Sequence, residues 1–270
     1  MLNSINYNLD PNWINRKPYH KSFPVGFQKD WTNGMNGLAF GPEGNAFVTT
    51  REKLYKFPVP KHYHKWYEYG PEASSLPYPK GLFDHAGDLD VDSNGNIWIP
   101  IEGSAGPAIA KFNSDLEFEW YYKLDRQQFA SWVASDNEFL YSSDFHSNYI
   151  NVYKPTSNYI DYVGQLNLSE KVFRIQGGAF YKDKLYLCSD DVDNPRIVSV
   201  KDGNVTTEVT IPRVAFNWVN KTINWFARDD VSRYQELQGI AFKNNELQVI
   251  LGEINWFTKD DLILLHYNVS

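Results

Sequence analysis

The sequence predicts an all-β fold, a five-bladed β-propeller closed by an N-terminal strand that completes the last blade. Three observations carry that expectation. A small polar cluster, an apolar strand, a tight turn and a second strand ending near a charged residue recur five times, at residues 36–51, 87–102, 130–144, 176–190 and 238–253. Recurrence at roughly 40–60 residues marks units that cannot bury their own apolar faces and must stack on their neighbours. The turns agree, because Glu43-Gly44-Asn45, Asn94-Gly95-Asn96, Asp136-Asn137, Lys182-Asp183 and Asn244-Asn245 are residues that tolerate the positive φ of tight hairpins. No long segment has the apolar period of a helix, which disfavours an α-solenoid.

Each blade can be read outward from its hairpin. Third strands fall at residues 54–57, 108–112, 149–153, 196–200 and 262–265, rich in the bulky residues that suit stacked sheets. Fourth strands follow four of them, at 65–69, 118–122, 159–163 and 205–209. The fifth repeat reaches Ser270 soon after its third strand, so residues 21–27 are expected to supply its outer edge, which removes two exposed edges at once.

The whole of 1–270 reads as one domain, with 42% hydrophobic and 16% aromatic residues. A net charge of -7 with dispersed Lys and Arg argues against nucleic acid and anionic membranes as partners. No apolar run is long enough for a membrane span, and residues 1–6 do not resemble the start of a signal peptide, so the expectation is a soluble chain, cytoplasmic by default. The one cysteine, Cys188, lies in the apolar strand Leu185-Tyr186-Leu187-Cys188 and reads as a core thiol.

The segment Leu89-Asp90-Val91-Asp92-Ser93-Asn94-Gly95-Asn96-Ile97-Trp98-Ile99 resembles the inner hairpin of the propeller group that includes NHL repeats, the senescence-marker or gluconolactonase family and the paraoxonases. Those families generally have six blades. Gln176-Gly177 and Gln238-Gly239 are similar to the Gln-Gly openings of the five-bladed glutaminyl cyclases. The first resemblance implies a lactonase-like chemistry and a calcium site built from Asn, Asp and Glu near the axis.

Strand direction locates the candidate site. The start of each inner strand and the end of the next lie at the same end of the blade, so two polar rings should meet at one mouth. The inner ring is Asn36, Asp88, Ser131, Gln176 and Gln238; the outer is Arg51, Glu102, Asp144, Asp190 and Glu253. Crowded carboxylates need a compensating cation, and oxygen donors favour calcium or magnesium over zinc. Asn36, Asp88, Glu102, Asp144 and Gln238 are therefore the expected ligands of a divalent cation, calcium first. The other reading is that these residues cap strand ends and are neutralised by Arg51, Arg174 and water.

His85 and His146 stand beside the rings and titrate near neutrality, which suits proton transfer, with Arg174 close by. Arg51, Gln176, Glu253, Trp218 and Trp225 are the expected substrate contacts. The two tryptophans lie in residues 213–235, which break the repeat and are expected to roof the mouth. Tyr78 and Phe83 are expected on the opposite wall. The leading function is a metal-assisted hydrolase, lactonase- or esterase-like, for a small-molecule substrate or sugar. Two alternatives stand beside it: a lectin-like binding propeller, and a glycosidase pairing Glu102 with Glu253.

Overall fold

The computed structural model describes residues 19–22, 34–59, 70–79, 81–211, 235–253 and 261–269. Five antiparallel sheets form a ring. Strand β1 (Tyr19–Ser22) belongs to the last blade. Blade 1 holds β2 (Met35–Phe40), β3 (Ala46–Thr50), β4 (Leu54–Phe57) and β5 (Ala73–Ser75). Blade 2 holds β6 (His85–Ala86), β7 (Asp90–Val91), β8 (Ile97–Glu102), β9 (Ala108–Phe112) and β10 (Phe118–Lys123). Blade 3 holds β11 (Ala134–Ser135), β12 (Leu140–Ser142), β13 (Ser147–Pro155) and β14 (Ile160–Val172). Blade 4 holds β15 (Ile175–Tyr181), β16 (Lys184–Ser189), β17 (Arg196–Lys201) and β18 (Asn204–Thr210). Blade 5 holds β19 (Gln235–Lys243), β20 (Glu246–Glu253) and β21 (Asp261–Asn268), and β1 pairs antiparallel with β21. The ring thus closes as the sequence predicts; the described edge is 19–22, and residues 23–27 of the expected 21–27 lie outside the described residues.

All five inner hairpin turns contain a residue in the left-handed region: Gly44 (φ 94°), Gly95 (81°), Asn137 (79°), Lys182 (57°) and the pair Asn244 (49°) and Asn245 (63°). Local sequence therefore specifies the hairpin turns. Packing then joins them, because each apolar cluster lies between two blades. Leu38 and Phe57 of blade 1 meet Ile250 and Leu264 of blade 5; Phe47 and Leu54 meet Ile99 and Phe112 of blade 2. Trp98 of blade 2 meets Leu140 and Tyr153 of blade 3. Trp132 meets Leu187 and Val198 of blade 4, and Ile197 meets Val249 and Leu265 of blade 5. Cys188 is buried in that last cluster, and burial pushes its thiol up, away from nucleophilic ionisation.

Three details differ from the sequence reading. The outer strand of blade 1 is β5, whereas residues 65–69 lie outside the described residues. Phe83 is buried edge-on against Tyr121, with ring centroids 5.0 Å apart, so it is core rather than mouth wall. The inner strands of blades 2 and 3 are broken, because Asp88 and Trp132 leave their own ladders and pair across the blade boundary in a parallel bridge.

Candidate functional site at the propeller mouth

Residues at the centre of the ring approach closely, and Asp88 is the one they surround. It is fully buried. Its main chain bridges blade 3, with Asp88 N–H donating to Ser131 O (2.9 Å) and Val133 N–H donating to Asp88 O (3.1 Å). Its carboxylate accepts backbone N–H groups from three other blades: Leu38 on Oδ1 (3.2 Å), and Gly178 (3.1 Å) and Ile240 (3.3 Å) on Oδ2. That approach requires glycine, since a Cβ at Gly177 would lie 2.6 Å from Oδ2 and one at Gly239 would lie 2.5 Å from Oδ1. Burial drives the Asp88 carboxyl well above the usual carboxylate range, only partly offset by the three N–H donors.

Around this centre the polar inner ring sits on irregularities of the ladder. Asn36, Gln176 and Gln238 each fall where the register of β2, β15 or β19 shifts by one residue. A bulge of this kind leaves the extra residue unpaired and re-aims its side chain. Blades 1, 4 and 5 therefore carry polar groups at equivalent positions, and Gln238 donates to Glu236 Oε2 (2.8 Å).

The outer ring behaves as a set of caps. Glu102 Oε1 accepts the Ala130 N–H of blade 3. Asp144 Oδ1 accepts the N–H groups of Gln128 (2.6 Å) and Phe129 (3.0 Å). Asp190, fully buried, accepts Leu237 N–H of blade 5 (2.9 Å) on Oδ1 and pairs with Arg174 on Oδ2 (2.9 Å to Nη2). Backbone donors at the start of an inner strand have no ladder partner there, and these carboxylates supply one. Arg174 also bonds Glu236 (3.3 Å), and its own N–H donates to His146 Nδ1 (3.1 Å). His146 is exposed between Phe145 and Phe173. Arg174 and His146 thus form a rim network at blades 3 to 5, away from His85.

Both Asp88 oxygens, one Glu102 oxygen and one Asp144 oxygen are committed to N–H groups, and among the described residues no group of three or more His, Cys, Asp or Glu gathers as a metal site. Calcium bound by Asn36, Asp88, Glu102, Asp144 and Gln238 would raise the melting temperature by mass action, so a melt with added calcium and then with chelator tests that expectation, and no shift would remove it.

Three of the expected residues do meet. His85 and Glu102 are direct cross-strand partners on β6 and β8, with Nδ1 of His85 4.0 Å from Oε2 of Glu102. Asn36 reaches over from blade 1, its Nδ2 donating to Ala86 O (2.7 Å) and standing 3.3 Å from His85 Nε2. The bond to Ala86 fixes the amide orientation, so an NH2 faces Nε2, which must accept. The imidazole proton then lies on Nδ1, toward Glu102. Burial, and next the Arg51 charge, lower the His85 pKa; burial raises that of Glu102, reinforced by the Asp84 and Asp144 charges and opposed by the Ala130 N–H. A neutral imidazole N–H and a carboxylate of raised basicity face each other across a gap.

That gap opens into a cavity of about 460 Å³ between blades 1, 2 and 3, walled by Arg51, Asp84, His85, Glu102, Pro107, Gln128 and Phe129. Gln128 and Phe129 were not legible as site residues, since the loop carrying them has no repeat signature. Gln176 lies across the ring at blade 4. Glu253 ends β20 and its side chain is outside what is described; Trp218 and Trp225 also lie outside the described residues. Tyr78 donates to Arg51 O (3.3 Å) behind the cavity. At the opposite end of the axis a second cavity, about 280 Å³, contains Asp90, whose carboxyl burial pushes up to about 7.

The chain is a five-bladed β-propeller with its axis closed by one buried carboxylate and an acid–base cluster at one mouth. No family profile matches it, and no curated protein matches it in sequence. Solved structures match the fold. The glutaminyl cyclase of Myxococcus xanthus aligns at 12% identity with a TM-score of 0.57, over 94% of this chain and 98% of that one. Virginiamycin B lyase of Staphylococcus aureus aligns at 13% identity with a TM-score of 0.46, over 91% and 73%. Likeness at such identity is one of fold. The resemblance to the NHL, gluconolactonase and paraoxonase group holds at that same level, the propeller. No helix among the described residues is long and apolar enough to cross a membrane.

Proposed function

We propose that this propeller is a small-molecule hydrolase of the ester or lactone class, working with Glu102 as general base and neutral His85 as electrophile. The observation that carries the reading is the His85–Glu102 pair, 4.0 Å apart at the wall of an open cavity, with the imidazole tautomer set by Asn36. Raised basicity suits Glu102 to deprotonate water. A lowered pKa keeps His85 neutral, so that its Nδ1–H can donate to a carbonyl oxygen without first losing a proton.

The reaction balances on these two groups. Glu102 takes a proton from water as the water oxygen attacks the carbonyl carbon. His85 Nδ1–H stabilises the oxyanion of the tetrahedral intermediate. Collapse breaks the C–O bond to the leaving alkoxide, which takes the proton back from Glu102, giving acid and alcohol. Asn36 positions the imidazole through Nε2. Arg174, held by Asp190 and Glu236, serves the rim rather than the reacting atoms. Enzyme chemistry also occurs on this fold, in the glutaminyl cyclase named above.

A panel of aryl esters, alkyl esters and lactones tests the reading by product formation. At least one class is expected to be hydrolysed, and His85→Phe, which keeps a ring but removes the N–H, is expected to lower kcat by about 10²-fold. Hydrolysis of none of them, or a rate indifferent to His85→Phe, would sink it.

A further inference from the structure

We infer that the mouth is built for a carboxylate-bearing substrate with a flat or apolar body, seated between the Arg51 guanidinium and the Phe129 ring. This rests on the mouth being the reacting site, and it names the substrate class. Arg51 follows β3 and is exposed. Its backbone is fixed, because Arg51 O accepts both Ala86 N–H (3.2 Å) and the Tyr78 hydroxyl (3.3 Å). Its Nε donates to Asp84 O (3.2 Å), which orients the guanidinium at the cavity wall. Among the described residues the two Nη groups have no partner, so a planar fork of donors is left for a ligand. Such a fork matches a carboxylate bidentately.

Phe129, on the chain leading into blade 3, lines the same cavity and is 48% exposed. Its N–H is held by Asp144 Oδ1 (3.0 Å) and its carbonyl by Gln127 Nε2 (2.6 Å). Gln127 is itself buried and bonded to Ser142 Oγ (2.9 Å), Asn151 Nδ2 (3.0 Å) and Tyr153 Oη (3.3 Å). A loop anchored this heavily presents an exposed aromatic face at little further ordering cost, which is what a binding platform requires. The exposed Asp84 carboxylate lines the same cavity without forming an ion pair with Arg51, so it opposes an anion there instead of neutralising the fork.

Binding is measured by calorimetry with two probes, phenylacetate and phenylacetamide, which share a body and differ in charge. Phenylacetate is expected to bind the wild type about ten-fold more tightly. Arg51→Gln should erase that preference, Phe129→Ala should weaken both probes, and Asp84→Asn should tighten phenylacetate alone. Equal binding of acid and amide, a preference that survives Arg51→Gln, or no binding of either would overturn the inference. Because no bond is broken, the result stands apart from the hydrolase reading. A mouth that hydrolyses neutral esters yet ignores phenylacetate refutes only the substrate class.

Discussion

Replacing Asp88 by alanine is expected to lower the unfolding free energy by about 3–5 kcal/mol, measured by urea titration, because it strands three buried N–H donors at once. Leu38, Gly178 and Ile240 belong to blades 1, 4 and 5, so the loss should also show as faster hydrogen exchange at amides of all three. Asp88→Asn should cost less than alanine but still destabilise, since its NH2 would face donors where an oxygen is needed. The pH dependence distinguishes these effects. The folded-state pKa of Asp88 is raised above its unfolded value, so its proton-linked stabilisation is complete below the ordinary carboxylate range and is lost as pH climbs through the folded value. Asp90 and Glu102 shift in the same direction and add to the trend. Subtracting the Asp88→Asn stability curve from that of the wild type should leave a difference that shrinks as pH rises; a flat or growing difference would refute the assignment.

Glu102→Gln is expected to reduce kcat for the best ester of the panel by about 10²–10⁴-fold. Glutamine keeps an oxygen for the Ala130 N–H, so the blade 2 to blade 3 cap and the melting temperature should survive while the base is lost. The pH profile carries the sign. Glu102, raised, must be ionised and His85, lowered, must be neutral, so kcat/KM should fall on the acid side as either gains a proton, with no fall on the alkaline side from either group. A rate that Glu102→Gln leaves within a few-fold of wild type would assign the base elsewhere.

The hairpins were legible because their determinants are local: Asn137, Lys182 and the Asn244-Asn245 pair bend the chain with the few residues around them. Ring closure was legible for a related reason, since a fifth repeat lacking its outer strand implies that one is supplied from elsewhere, and β1 supplies it. Strand direction put Asn36, His85 and Glu102 at one end of the ring, and the three do meet. What the sequence could not convey was the occupancy of each carboxylate. Asp88, Glu102, Asp144 and Asp190 look alike as acidic residues at strand ends, yet their roles depend on which backbone N–H of which neighbouring blade lacks a partner. That is settled only by the rotation of one sheet against the next. The broken strands around Asp88 and Trp132 were obscured similarly, because the apolar alternation continues through them although the ladder does not.

The reach of Asp88 has a consequence for how this chain can change over time. A single side chain spans to three strands because five sheets leave a narrow centre, and the centre widens as sheets are added. Here a sixth unit would move the Leu38, Gly178 and Ile240 amides beyond the reach of one carboxyl group and leave all three N–H groups without that acceptor. The aspartate therefore works as a gauge of circumference, penalising any change in repeat number before the mouth has a chance to acquire a new use.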